Sequence, residues 1–144
     1  DEVIDFSDPY TLPDPSSYLS MSDADPSKGV IAAQTGTIQA SHIAGMDGAT
    51  LVEFATPEET VAAVKNGEAD AVLADKSFLA PIAESDSDLQ LLAQEELLGG
   101  GIGLGIRESD AELREKFNVA IQSMKDDGSL NELLKKWLPE AELF

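Results

Sequence analysis

The sequence predicts an α/β domain with a mainly parallel sheet flanked by helices. Three observations carry that prediction. Short apolar runs with strand character recur at 30–33, 51–54, 71–74 and 89–93. Helical segments with start and stop signals lie between them. Strands separated by single helices form βαβ units, whose crossovers demand parallel pairing.

Residues 1–29 are rich in Pro, Ser and Asp. Pro9, Pro13, Pro15 and Pro26 exclude long helices there, and short extended pieces are expected at 3–6 and 18–21. After the strand at 30–33 come Gln34, Thr35, Gly36 and Thr37, then a helix to about Gly45. The next strand, 51–54, is followed by Thr56-Pro57-Glu58-Glu59. That quartet offers Thr as N-cap, Pro at the first helical position and Glu three residues after the cap. Asn66-Gly67 stops this helix. The strand at 71–74 ends at Asp75, a helix follows through Ile82, and 89–93 is a fourth strand.

Glycines alternate with apolar residues over 99–107, where Gly101, Gly103 and Gly105 interleave with Ile102, Leu104 and Ile106. The period of two predicts a strand, and the glycines predict close backbone approach or a hinge. A dinucleotide loop is disfavoured, because its glycines belong between strand and helix. Two helices close the chain. Leu113, Phe117, Ala120, Ile121 and Met124 form the first stripe, ended by Gly128. Ser129 and Glu132 suggest a capping box for the second, whose stripe is Leu130, Leu133, Leu134, Trp137 and Leu138 before Pro139. Both stripes are expected to be core.

Composition bounds the function. The 144 residues are 42% hydrophobic, enough for one ordinary domain with a core. With 28 acidic against 9 basic residues the net charge is −19. Nucleic acid and anionic lipid are therefore unsuitable partners, since both need clustered Lys and Arg. No Cys is present, so disulfides and thiol chemistry are absent. No apolar run reaches the roughly 18 residues of a membrane span, so no membrane insertion is expected. No signal peptide is visible, and the chain begins at Asp1 without Met, as a processed protein or a cut piece would.

No catalytic residue and no metal ligand can be picked out. His42 stands alone on a helix, at the surface or its boundary, and no all-carboxylate metal spacing occurs. No nucleophile-elbow pattern is present. Two features stand out instead. The Gln34–Thr37 turn joins a strand to a helix. Gly36 permits tight backbone approach, and the helix-start N–H groups with the Thr35 and Thr37 hydroxyls suit an anion, although a Thr there also serves as a plain N-cap. Asp75 follows the third strand, where an Asp also suits the capping of the next helix. Ligands of open α/β sheets bind beyond the carboxyl ends of the strands, and both features fall on that edge. An amino acid's carboxylate and ammonium need such an anion site beside a cation site.

Five segments taken together resemble the family 3 extracellular solute-binding proteins, the amino-acid-binding components of ABC importers. They are FSDPY (6–10), AAQTGT (32–37), AVKNGEADAVLAD ending at Asp75, GIGLGIR (101–107) and MKDDGSLNELLKKWL (124–138). The resemblance implies a lobe of the type II periplasmic-binding-protein fold, a periplasmic or extracellular location, an ABC permease as partner and no cofactor. It implies that 1–17 ends a first lobe and forms the first crossover, that 18–98 is the second lobe, and that 99–144 holds the return crossover and two helices that pack on the first lobe.

By the same resemblance Asp75 binds the ligand's ammonium. Gly36, Thr37 and the N–H of Ile38 serve its carboxylate. Gln34, Gln39 and Ala74 help to read its side chain. Many members carry a second hydroxyl where this chain has Ile38. Most of the first lobe would precede Asp1, so this chain would hold about half a site. A few charge-assisted hydrogen bonds in an open half-site give millimolar affinity or weaker, about −4 kcal/mol. Helices deprived of an apolar partner would drive self-association. A ligand-sensing domain of a membrane receptor, or an enzyme such as a cyclic-acid dehydratase on the same scaffold, would carry a similar sequence pattern.

Overall fold

The computed structural model describes residues 3–144, so the expectation for residues 1–2 lies outside the described residues. The strands are β1 (Ile4–Phe6), β2 (Ser16–Ser20), β3 (Val30–Gln34), β4 (Thr50–Phe54), β5 (Ala71–Asp75), β6 (Gln90–Glu96) and β7 (Gly105–Arg107). The helices are α1 (Ile38–Ala44), α2 (Pro57–Lys65), α3 (Lys76–Ser85), α4 (Ala111–Asp126) and α5 (Ser129–Trp137), with a 3-10 turn over Glu108–Asp110. They divide into two units, Pro15–Gly99 and 3–14 with Gly100–Phe144.

Pro15–Gly99 is built on a sheet of order β4-β3-β5-β2-β6. β3 pairs in parallel with β4 and β5, while β2 pairs antiparallel with β5 and β6. Four strands thus run one way and β2 alone runs against them, which is the mainly parallel sheet expected. Successive residues of β3 feed opposite faces, as strand geometry requires. Ile31 and Ala33 join Tyr18, Ala40, Ile43 and Leu73 under α1. Ala32 joins Leu19, Val61, Val64, Val72 and Leu79 under α2 and α3. Burial on both faces explains why β3 and β5 read as continuous apolar runs rather than alternating ones.

β2 is the larger surprise. All five of its residues are buried, although three are serines. Two of these hydroxyls have identified partners: Ser20 Oγ donates to the Asp70 carbonyl at 2.7 Å, and Ser16 Oγ accepts from Gln39. Ser17 Oγ has none in the structure. A buried hydroxyl is inexpensive only when bonded, and sequence pattern does not show such bonds. The capping box of α2 forms as read: Glu59 N donates to Thr56 Oγ1 at 3.3 Å and Thr56 N donates to Glu59 Oε2 at 3.1 Å. Gly67 closes that helix at φ +78°.

In the other unit β1 and β7 pair antiparallel, with Ile4 opposite Arg107 and Phe6 opposite Gly105. The strand expected over 99–107 begins only at Gly105. Upstream the chain stays beside 7–11, but side chains replace part of the ladder. Ser7 N and Tyr10 N donate to the Leu104 and Ile102 carbonyls, while Ile102 N and Leu104 N donate to Thr11 Oγ1 and Ser7 Oγ. Close approach is the reason for the glycines. A Cβ on Gly101 would overlap the Thr11 carbonyl oxygen, and one on Gly103 would lie 2.8 Å from that of Ser7.

Two expectations for this unit are corrected. Ser129 is not a cap: Gly128, at φ +81°, holds that place, and no side-chain cap bond forms. Asp127 Oδ1 instead accepts from Ser129 N at 2.8 Å, satisfying one of the open N–H groups of the helix start. Nor are the two helical stripes core throughout. Ile121, Leu130 and Leu134 are buried together, whereas Leu113, Phe117, Leu133, Trp137 and Leu138 stay exposed. A periodic stripe marks an apolar face, but burial needs a second surface to cover it.

Candidate functional site

The carboxyl ends of β3 and β5 lie side by side, because Ile31 is level with Ala71 and Ala32 with Val72 in the parallel ladder. The turn after β3 and the Asp that ends β5 therefore meet at one sheet edge. Gln34 closes β3, and its Nε2 donates to the Ala55 carbonyl at 3.1 Å. Thr35 N donates to the Phe54 carbonyl at 2.9 Å, which ties the turn to the end of β4. Gly36 follows at φ +78°, a conformation in which a Cβ is strained.

Thr37 is the N-cap of α1. Its Oγ1 accepts from Ala40 N at 3.2 Å and donates to the Gln34 carbonyl at 2.7 Å. The hydroxyl hydrogen is thus committed to the turn, and Thr37 shapes the turn rather than offering a donor from it. The Gly36 and Ile38 N–H groups have no backbone acceptor among the described residues. These are the open donors of a helix start. Ile38 projects an exposed side chain.

Asp75 occupies the N-cap position of α3, yet its side chain makes no cap bond. It accepts instead from Gln39 Nε2 at 2.7 Å. Next to it, Lys76 pairs with Glu95 at 2.5 Å. A cleft of about 240 Å3 opens on this edge, lined by Gln34, Thr37, Gln39, Thr60, Ala74, Asp75 and Phe78 among others. Gln34, Thr37, Gln39 and Asp75 are brought together there. Thr35, Gly36 and Ile38 belong to the same turn but do not line the cleft.

Ser16, Thr60 and Phe78 were missed from sequence. Ser16 stands opposite Asp75 in the β2–β5 ladder and bonds Gln39. Nothing local to Pro15-Ser16-Ser17 signals this, since it depends on β2 inserting beside β5. Behind the site, burial and the nearby Glu96 carboxylate push the Tyr18 phenol up to about 12. His42 stands 4.0 Å from Glu96 and takes no part in the cleft. Among the described residues no group of three or more His, Cys, Asp or Glu could hold a metal ion.

Comparison with known proteins identifies the family and the fold. The profile of the bacterial extracellular solute-binding proteins, family 3, matches residues 1–140. The ABC transporter glutamine-binding protein GlnH of Bacillus subtilis is 28% identical over 92 residues, covering 64% of this chain and 33% of that protein. The arginine-binding periplasmic protein of Mannheimia haemolytica is 26% identical over 139 residues, covering 92% of this chain and 58% of that protein. The chain thus spans roughly a third to three fifths of these relatives' lengths. Among solved structures, a periplasmic His/Glu/Gln/Arg/opine family-binding protein from Silicibacter pomeroyi in complex with lysine is 58% identical, with a TM-score of 0.82, covering 99% of this chain and 66% of that one. An ancestral arginine-binding protein bound to arginine is 25% identical, with a TM-score of 0.75, covering 93% and 64%.

Proposed function

This chain belongs to the bacterial extracellular solute-binding proteins of family 3, and from that premise we propose that it binds a zwitterionic amino acid for uptake by an ABC transporter, in the periplasm or outside the cell. The observation that carries the reading is the adjacency of opposite functions on one edge. Open N–H groups of the Gly36–Ile38 turn suit a carboxylate, and the Asp75 carboxylate on the neighbouring strand suits an ammonium. Binding, not bond-making, is the chemistry of this site. Pro15–Gly99 acts as one ligand-binding lobe and holds about half of the contacts. The partner is the permease of the transporter. The exposed apolar faces of α4 and α5 favour self-association of the chain by itself, and a strictly monomeric species at high concentration in light scattering would overturn that part.

The test is an NMR amide titration with L-lysine, L-arginine and L-glutamine at millimolar concentration, beside analogues lacking the amine or the carboxylate. Saturable shifts centred on residues 35–38 and on Asp75, lost with either analogue, are expected. Shifts centred elsewhere would overturn the site.

A further inference from the structure

Gln39 joins the two halves of the candidate site. It lies in the first turn of α1, is 7% exposed, and its Nε2 donates to Asp75 Oδ1 at 2.7 Å and to Ser16 Oγ at 3.1 Å. The amide nitrogen carries two hydrogens, and both are engaged. Its donor end therefore reaches a ligand side chain only if Asp75 or Ser16 is released. Ser16 is a firm anchor, buried in β2 and paired on both sides, opposite Asp75 on β5 and Glu96 on β6. One side chain thus ties α1, β2 and β5 together directly behind the carboxylate. Buried supports of this kind hold a functional group in its productive orientation.

We propose that Gln39 is a positioning residue: anchored on Ser16, it orients the Asp75 carboxylate for the ligand's ammonium instead of reading the ligand's side chain. The ligand half of this inference rests on the amino-acid reading above, and the anchoring half on the three side chains alone. Ser16 enters the site only through this role. The charged and titratable groups on the surrounding elements include Lys76 and Glu84 of α3, Glu58, Glu59 and Lys65 of α2, Glu95 and Glu96 of β6 and His42 of α1. They remain unchanged in the variants that follow, so their influence on Asp75 is common to every measurement.

The experiment uses the intact chain with Gln39→Leu and Ser16→Ala. Two readouts are taken, the titration midpoint of the Asp75 side-chain carboxyl by carbon-13 NMR and the affinity for L-lysine and L-arginine by amide shifts. Losing a charge-assisted hydrogen bond raises the carboxyl midpoint, by about one pH unit or more for Gln39→Leu. Ser16→Ala raises it less. Affinity falls about tenfold in Gln39→Leu, and more steeply as the pH is lowered toward the raised midpoint. Affinity lost with the midpoint unmoved would overturn the proposal, because Gln39 would then touch the ligand itself. Both readouts unmoved would also overturn it, leaving Gln39 as packing only. A midpoint that rises in a chain whose unsubstituted form binds neither amino acid would support the anchoring and remove the amino-acid reading. Should Gln39→Leu lose its dispersed amide spectrum, Ser16→Ala carries the same comparison.

Discussion

Pro15–Gly99 and the unit formed by 3–14 with Gly100–Phe144 contain similar apolar residues and use them differently. The first closes a five-stranded sheet between helices, and Tyr18, Leu73 and Leu79 at its centre are buried. The second is a two-stranded ribbon with two helices. Its buried cluster is Ile121, Leu130 and Leu134, while Val119 is 62% and Trp137 69% exposed. The difference teaches that burial is a property of surfaces meeting. A sheet with helices on both faces covers its own apolar residues. A ribbon and a helix pair leave theirs facing outward.

The comparison can be broken most directly at the cores. Leu79→Ala removes a fully buried side chain and is expected to cost about 3–4 kcal/mol. Trp137→Ala, although it removes a larger group, is expected to cost less than about 1 kcal/mol. Chemical denaturation of both variants checks the contrast, and a Trp137 effect equal to that of Leu79 would contradict it. Next in size is the ribbon. Gly101→Ala places a Cβ on the Thr11 carbonyl and is expected to cost about 1–3 kcal/mol. The loss should be read in faster hydrogen exchange at Tyr10 and Ile102, with the amides of β3 and β5 unaffected.

The helix starts sharpen the contrast further. Thr56→Ala dismantles a two-bond capping box and should lower stability by about 1 kcal/mol. Ser129→Ala should change it by less than about 0.5 kcal/mol, since no side-chain cap is lost. A further effect is confined to alkaline solution. The Tyr18 phenol is raised from 10.0 to about 12, so the folded state resists its ionisation. Its contribution is fully present below pH 10, declines between pH 10 and 12, and is gone above that window. Tyr18→Phe should flatten the slope of stability against pH there, and an unchanged slope would show that burial does not perturb this phenol.

Much of the fold was legible because its signals are local. The Thr56 capping box, the Asn66-Gly67 stop and the uniform apolar runs of β3 and β5 each act within a few residues. Gln34, Thr37 and Asp75 were legible as candidates for the same reason, since a turn or an Asp at the end of a strand points to the ligand edge of the sheet, whereas Gln39 entered only through the family resemblance. Ser129 misled because capping chemistry fits Ser-x-x-Glu equally well with Ser inside the helix, and Gly128 in the left-handed region took the cap. The roles within the site were less legible still. Thr37 commits its hydroxyl hydrogen to the Gln34 carbonyl, and Gln39 commits both amide hydrogens to Ser16 and Asp75, bonds spanning from 3 to 36 residues.

By itself, then, the sequence determined where most helices and strands lie, which runs are buried on two faces, and that a turn and an acid stand at strand ends. Those properties come from backbone preference, capping and apolar periodicity, all of which act over a turn or two. Tertiary structure alone decided that the serine-rich β2 enters the middle of the sheet and that Ser16 stands behind Asp75. It also decided which faces of α4 and α5 are covered. Each of these depends on pairing between residues far apart in the chain, and burial of a polar group is acceptable only once the distant partner is in place.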